Sequence, residues 1–371
     1  MINKQSKSLN STINEIHLLR ALACICVVLV HLTAIHYVFN GNQFNEITFG
    51  INQLARFGTP TFAVISAFLL VYQVRRKGFQ LKNFIVTRTT KIVFPFFIWS
   101  LFYIGLNKIY FGVGVKQGLD PISYFIEYVV LGGSYYHLYF MAMVLQFYLL
   151  FIVIQFARTK FVWGMLLIIA LIVNAIYLTP SLNLVVDQVH LKKIYYSDAF
   201  VFRWIFYFML GGFIAYFWEN ISEVISKYKY VWLLLGVLVV IGGIIEYNVT
   251  GSAPASRITN LINIPVLTLS VFSLYKFINN VSFLENISSI IGKYAMGIYI
   301  LHPFILFIML QHVPSTLWRT YYLPVYLVII LFICIIISKM IGTLKLSNYI
   351  LPVPKTNSNN TKARDTSIAS T

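Results

Sequence analysis

Residues 161–178 read FVWGMLLIIALIVNAIYL, and no side chain in this stretch carries a charge. As an α-helix, 18 residues extend about 27 Å, which nearly matches the roughly 30 Å hydrocarbon core of a bilayer. The unbroken apolar run favours a helix, because a strand of a membrane barrel would alternate apolar and polar residues. The whole chain has the same character, since 59% of its 371 residues are hydrophobic, 11% are charged and the mean hydropathy is +0.78. A soluble domain would be about 25% charged, so we predict an all-α, polytopic membrane protein.

Apolar runs of this length recur along the chain and predict about ten transmembrane helices. They cover residues 17–39, 50–73, 91–111, 135–157, 161–179, 199–218, 231–249, 258–278, 294–310 and 322–343. We predict a polar N-terminal tail over 1–16, one membrane domain over 17–345 and a disordered C-terminal tail over 346–371. Most of the 28 Lys and Arg side chains fall in the two tails and in alternate loops. The positive-inside rule therefore predicts that both termini are cytoplasmic.

The formal net charge of +17 would suggest a nucleic-acid partner in a soluble protein. In a membrane protein, basic residues face anionic headgroups, so the expected partner is the lipid bilayer and not nucleic acid. The three cysteines, Cys24, Cys26 and Cys334, lie in apolar runs and predict no disulfide. The seven histidines are dispersed and the acidic residues avoid them, so the sequence predicts no metal site.

The first predicted span contains two ionisable side chains, Arg20 and His31. Each costs several kcal/mol inside a membrane, roughly 2.5–3.5 on insertion scales, and so calls for a reason. Eleven helical residues complete about three turns and rise about 16.5 Å, so both side chains project from one stripe. We expect two depths of one cavity, with Arg20 holding an anion and His31 acting as a base or nucleophile. The alternative is that Arg20 snorkels to the headgroups while His31 makes a hydrogen bond between helices.

Five short motifs follow one another between residues 18 and 306. They read LLRALACICVVLVH (18–31), RFGTPTFAVISAFLL (56–70), RTTKIVFPF (88–96), HLYFMAMVLQFYLL (137–150) and GKYAMGIYILHPFIL (292–306). In this order they resemble the motifs of the membrane acyltransferase 3 family, in which an Arg and a His with the spacing of Arg20 and His31 mark the first helix. The chain departs from that pattern at Ala67, where Gly is usual, at Lys91, where Arg is usual, and at Ala295, where Ser is usual. The stretches 131–147 and 202–216 resemble the branch tied to the bacterial poly-N-acetylglucosamine adhesin.

The resemblance implies an enzyme, a membrane-bound O-acyltransferase of the bacterial cytoplasmic membrane. It implies transfer of an acyl group, acetyl or succinyl, from cytoplasmic acyl-CoA to a hydroxyl of an extracytoplasmic cell-envelope or secreted polysaccharide. Acyl-CoA is then a co-substrate, the glycan is a partner, and a polysaccharide synthase complex is a further candidate partner. Neutral His31 would remove the proton from the sugar hydroxyl or carry the acyl group itself, two mechanisms that stay open.

A basic loop at residues 74–91 is the expected cradle for the phosphates of coenzyme A. Arg88 and Lys91 are its best candidates, because side chains three residues apart share one face of an α-helix. Arg75 and Arg76 are further candidates, for which a positive-inside stop signal is the competing explanation.

Four residues are candidates for contact with the acceptor or with oxyanion charge. Arg56 and His31 are expected at the same depth of the membrane, although Arg56 could equally snorkel. His137 and Tyr139 open the fourth span, where a ring could stack, although an aromatic belt is the commoner explanation. His302 precedes Pro303 and would either line the cavity or satisfy the broken helical turn.

A protein of another class, a polysaccharide exporter or flippase without chemistry, would also suit ten helices with a polar stripe. The sequence places no Asp or Glu deep in any predicted span. A proton- or ion-coupled carrier would therefore lack its usual coupling group.

Overall fold

A computed structural model describes residues 13–113, 115–182 and 184–353. The described residues form helices and no strands, as expected for an all-α membrane protein. The helices are α1 (Glu15–Phe39), α2 (Glu46–Ala55), α3 (Gly58–Lys77), α4 (Leu81–Arg88), α5 (Phe94–Phe111), α6 (Pro121–Phe125), α7 (Tyr139–Val153), α8 (Lys160–Leu178), α9 (Val189–Tyr195), α10 (Ile205–Tyr216), α11 (Trp218–Lys227), α12 (Lys229–Thr250), α13 (Asn260–Ile278), α14 (Ser282–His312), α15 (Leu323–Gly342) and α16 (Ser347–Ile350). The predicted fold class is thus confirmed.

Nine stretches within the described ranges are long and apolar enough to cross a membrane. Three of them exceed the predicted spans. In two of these, short helices join end to end: Glu46–Lys77 combines α2 and α3, and Leu81–Phe111 combines α4, a π-helical turn and α5. The third, Ser282–His312, is the single long helix α14. Side chains such as Phe161 on α8 and Val249 on α12 are 75% and 80% exposed. Apolar surface exposed on this scale is expected to face lipid.

The sixth predicted span, 199–218, is not among these nine stretches, because it contains only the 12-residue helix α10, which is about 18 Å long. It nevertheless runs antiparallel to α8 over nearly the same depth. At one end Asn174 of α8 receives a hydrogen bond from the Phe206 amide, and at the other the rings of Trp163 and Tyr216 stack at 5.5 Å. Because α10 is buried among protein helices, it can be shorter than a helix that faces lipid.

The α3–α10 contact depends on a small residue. A Cβ at Gly211 of α10 would overlap the carbonyl oxygen of Val64 on α3, so only glycine allows this approach of the two backbones. Close backbone packing of this kind is a common way for helices to associate inside a membrane.

Helix α1 occupies the centre of the bundle and packs against α2, α3, α13, α14 and α15. Two hydrophobic cores flank it, one built mainly from α5, α14 and α15 and the other mainly from α3, α7, α8 and α10. The half-buried rings of Phe62 and Phe140 pack against both cores. Lys276 at the end of α13 forms an ion pair with Glu15 at the start of α1, with Nζ 2.8 Å from Oε1.

The start of the predicted C-terminal tail is ordered, contrary to our expectation for 346–371. Residues 347–350 form α16, and the Trp99 indole donates to the Ile350 carbonyl oxygen at 2.9 Å. Leu351 and Val353 are buried and pack in the core of α5, α14 and α15. The apolar run LPV (351–353) explains the difference, since it gives this short segment something to bury. Residues 1–12 and 354–371 of the two predicted tails lie outside the described residues.

Candidate functional site

A cavity of about 520 Å³ lies where α1, α3, α4 and α7 meet, toward the end of the bundle that carries the basic loop. We call it the basic cavity, because Arg20, Arg76, Lys77 and Arg88 line it. Its deeper wall is apolar and aromatic, and includes Phe62, Phe140, Met296 and Tyr299. A positively charged mouth above an apolar floor suits an anionic molecule that also has an uncharged arm.

Arg20 is half-buried on α1 and lines this cavity. Within the described residues it has no hydrogen-bond or ion-pair partner, whereas Arg75, Arg203 and Arg257 each pair with a carboxylate. A buried cation is costly unless it is paired. Arg20 is therefore a group that an anion entering the cavity would stabilise.

Arg88 enters the same cavity from the end of α4. Its guanidinium lies over the rings of Phe84 and Tyr148, 5.4 Å from each centroid, and donates to the Gln73 side-chain oxygen at 3.2 Å. Its Nε is buried and unpartnered within the described residues. The aromatic contacts hold the planar group in place while leaving a donor available.

Lys91 does not share the face of Arg88, contrary to our expectation. Residues 89–93 form a wider π-helical turn, so Ile92, not Lys91, joins Arg88 on the cavity wall. The Lys91 side chain is exposed.

Arg75 also lies elsewhere than we predicted, away from the basic cavity. Its Nη1 donates to the Ala215 carbonyl oxygen at 2.6 Å, and its Nη2 lies 2.9 Å from Oε2 of Glu219. The last carbonyls of a helix need donors, and a cation there also interacts favourably with the helix dipole. Arg75 thus joins α3 to the end of α10, whereas Arg76 lines the cavity.

His31 lines a second cavity of about 240 Å³, which we call the histidine cavity. Its other walls include Arg56, Thr59, Tyr139, Trp204 and Ser256. Arg56, the residue that caps the end of α2, lines this cavity together with His31. The histidine and basic cavities share no lining residue among those the structure describes, so the predicted single cavity is divided in two.

Three histidines, one from α1, one from α14 and one from the turn before α7, meet beside this cavity. The ring of His31 lies 5.4 Å from that of His302 and 4.6 Å from that of Tyr136, and the rings of His302 and His137 are 5.8 Å apart. His302 Nδ1 donates to the Ile298 carbonyl oxygen at 2.9 Å, which leaves Nε2 as a buried acceptor. Tyr299 donates to the His137 carbonyl oxygen. Across the described parts of the chain, no group of three His, Cys, Asp or Glu side chains is placed to hold a metal ion.

Asn52 orients the histidine cavity, and the sequence analysis missed it. Its side-chain oxygen accepts from Arg56 Nη2 at 3.1 Å, and its nitrogen donates to the Val30 carbonyl oxygen at 3.1 Å and to Thr33 Oγ1 at 2.9 Å. The residue thereby fixes Arg56 next to the turn of α1 that carries His31. An amide inside an apolar helix was the signal available in the sequence.

The segment between α12 and α13 closes the same cavity with Pro254, Ala255 and Ser256. Arg257 holds it by donating from Nη1 to the carbonyl oxygens of Ala253 and Pro254, at 3.0 and 3.2 Å. Burial lowers the pKa of Arg257. The ion pair with Glu246, whose Oε2 lies 2.8 Å from Arg257 Nε, partly offsets this lowering. The ion pair between Arg257 and Glu246 therefore helps to fix this wall of the histidine cavity.

An outer groove of about 830 Å³ adjoins the histidine cavity, because Tyr139 and Asp198 line both. Its remaining walls include Tyr135, Tyr136 and Tyr196. Aromatic faces and carboxylates together suit a ligand with sugar rings and hydrogen-bond donors. Tyr139 of the fourth span thus lies where it could contact such a ligand, whereas His137 is buried beneath it.

Comparison with known proteins shows the family to which the chain belongs. A family model described as an acyltransferase domain, that of the acyltransferase 3 family, matches residues 13–339. A probable poly-beta-1,6-N-acetyl-D-glucosamine export protein of Staphylococcus aureus is 26% identical over 306 residues, which cover 79% of this chain and 82% of that protein. A protein of the same name from Staphylococcus epidermidis is 27% identical over 354 residues, covering 91% and 94%. No solved structure matches the chain significantly. The match over most of its length shows that the chain belongs to the acyltransferase 3 family of membrane proteins.

Proposed function

We propose that the protein is an O-acyltransferase that moves an acetyl or succinyl group from acyl-CoA to a hydroxyl of a cell-envelope or secreted polysaccharide. The observation that carries the proposal is the placement of Arg20 and His31 on one helix, each lining a different cavity. One cavity suits the anionic donor and the other adjoins a tyrosine-lined groove that suits a sugar. The family membership supports acyl transfer as the chemistry.

In this proposal the phosphates of acyl-CoA bind in the mouth of the basic cavity, against Arg20, Arg76 and Arg88. Charge-assisted hydrogen bonds to phosphate are about twice as strong as neutral ones, and the cavity holds several donors of this kind. The uncharged arm of coenzyme A then extends along the apolar wall toward the histidine cavity. Lys91 and Arg75 take no direct part, because neither lines the basic cavity.

The transfer step uses His31 as the base. Neutral His31 accepts the proton of the sugar hydroxyl, and the oxygen forms a bond to the thioester carbonyl carbon as the carbon–sulfur bond breaks. The protonated imidazole returns its proton to the departing thiolate, which yields CoA-SH and the acylated sugar. Arg56 lines the same cavity and would stabilise the negative charge on the carbonyl oxygen. A covalent acyl-histidine intermediate would use the same residues in two steps.

The proposed location is the bacterial cytoplasmic membrane, with the basic cavity toward the cytoplasm. The density of Lys and Arg at that end supports this orientation. A polysaccharide synthase complex is a further proposed partner, since the polysaccharide that a synthase makes must reach the outer groove before it can be acylated.

Polysaccharide export is the second candidate function, because the relatives from both Staphylococcus species carry that name. A conduit for a polymer would have to run through the bundle. The separation of the basic cavity from the histidine cavity favours a site that a donor and an acceptor approach from opposite ends.

The test uses purified full-length protein in proteoliposomes. Acetyl-CoA labelled in the acetyl group is supplied on the basic side, and an oligomer of β-1,6-linked N-acetylglucosamine is supplied on the other. Label that becomes attached to the oligomer and is released by mild alkali shows ester formation. His31→Ala should abolish it at equal protein level. Movement of the unmodified oligomer across the membrane without ester formation would instead support export.

A further inference from the structure

The wall between the basic cavity and the histidine cavity is thin and aromatic. On α3, Thr59 lines the histidine cavity and Phe62, one turn later, lines the basic cavity. On α7 the adjacent residues Tyr139 and Phe140 divide in the same way. Three helical residues rise about 4.5 Å, so on these two helices the wall is about one side chain thick.

The wall consists of two ring contacts that differ in how firmly they are held. The rings of Phe62 and Phe140 are 5.8 Å apart, and those of Phe140 and Tyr299 are 5.6 Å apart. Tyr299 is anchored, because its hydroxyl donates to the His137 carbonyl oxygen. Phe62 and Phe140 have no polar anchor and are only half-buried. An aromatic pair contributes about 0.5–1.5 kcal/mol beyond its buried area, so the ring–ring contact itself adds only this much to the cost of moving Phe62 away from Phe140.

Both rings lie on the route from Arg20 to His31. The two residues are about 16.5 Å apart along α1, and the basic cavity ends at Phe62 and Phe140. An acyl group on a donor bound at Arg20 must therefore pass these rings before it reaches His31. Since the rings pack against both hydrophobic cores, the space they can vacate is restricted.

We propose that Phe62 and Phe140 form a partition that selects the acyl donor by chain length and admits a short acyl group to His31. The proposal rests on the function proposed above and adds the class of donor. A two-carbon group needs only a small displacement of the rings, whereas each further methylene must find room between them. One methylene in a tight apolar site is worth about 10-fold to 200-fold in discrimination.

The experiment compares acetyl-, butyryl- and hexanoyl-CoA as donors for the full-length protein in proteoliposomes with the β-1,6-linked oligomer. Phe62→Ala and Phe140→Ala enlarge the passage, and the milder Phe62→Leu and Phe140→Leu are made alongside them. Phe147→Leu is the matched control. It lies two turns beyond Phe140 on α7, it stacks on Phe208 with centroids 4.3 Å apart, and it lines neither cavity. Thermal unfolding of each variant verifies folding.

We expect wild type to prefer acetyl-CoA, and the Phe62 and Phe140 variants to raise the ratio of butyryl to acetyl transfer at least about tenfold. Phe147→Leu should leave this ratio unchanged. If wild type transfers acetyl but folded Phe62 and Phe140 variants keep the wild-type ratio, the partition is overturned and the proposed function stands. If wild type transfers none of the three acyl groups and no succinyl group from succinyl-CoA either, the proposed function fails and the partition fails with it.

Discussion

Replacing Arg20 by Met should weaken donor binding without destabilising the protein. Arg20 has no partner among the described residues, so its removal leaves no buried carboxylate or carbonyl unpaired. A hydrogen bond to a charged group contributes about 1.5–3 kcal/mol. At about 1.4 kcal/mol per tenfold change, KM for acetyl-CoA should rise roughly 10-fold to 150-fold. Arg20→Lys keeps the charge but loses the planar guanidinium, so its KM should lie between those of wild type and Arg20→Met.

The assay measures ester formation at varied acetyl-CoA concentration, together with thermal unfolding of the same samples. Arg75→Met is the matched control, since it removes the same side chain from a neighbouring site. That change leaves Glu219 without its ion pair and the Ala215 carbonyl without its donor. Arg75→Met should lower the unfolding temperature and leave KM for acetyl-CoA unchanged. Arg20→Met should raise KM for acetyl-CoA and leave the unfolding temperature unchanged.

Two results would refute the reasoning. One is a KM for Arg20→Met within twofold of wild type, which would show that the donor does not contact Arg20. The other is an equal rise in KM for Arg75→Met, which would show that general loss of basic charge, and not the basic cavity, determines donor binding.

Three further outcomes are expected from substitutions elsewhere. His31→Ala should abolish ester formation at normal expression, and glycan acylation at the wild-type rate, read by mass spectrometry, would remove His31 from the mechanism. Gly211→Ala should lower the free energy of unfolding by about 1–3 kcal/mol, because the added Cβ overpacks the contact between α3 and α10. Gly164→Ala is the control, since its Cβ would meet no atom within 4 Å, and it should be neutral or stabilising in thermal unfolding. Equal effects of the two substitutions would contradict the close approach of α3 and α10. Asn52→Ala should remove the hydrogen bond that holds Arg56, and should therefore lower kcat while changing KM for acetyl-CoA less. An unchanged kcat would show that Arg56 does not need this hydrogen bond.

Much of the candidate site could be predicted from helical geometry alone. The spacing of Arg20 and His31 places both on one stripe of α1, and each does line a cavity. Regular helices make such a prediction reliable, since residue number converts directly to angle and depth. Arg56 and His31 line the same cavity, and their common depth in the membrane stays a prediction.

Predictions went wrong where local geometry departs from the regular α-helix or where a distant segment supplies a partner. Lys91 follows Arg88 by three residues, but the π-helical turn moves it off the cavity wall. Arg75 is occupied by Glu219, which lies 144 residues away in the chain. Residue spacing within 74–91 predicts neither the π-helical turn nor the ion pair with Glu219.

The sequence by itself determined that this is a helical membrane protein and which face of α1 carries polar groups. These properties depend on hydropathy and helical periodicity, which are local along the chain. Only the tertiary structure decided that His31, His137 and His302 meet, and that Phe62 and Phe140 divide one expected cavity into two. Both depend on which helices become neighbours, and that is set by the packing of side chains from α1, α3, α7 and α14.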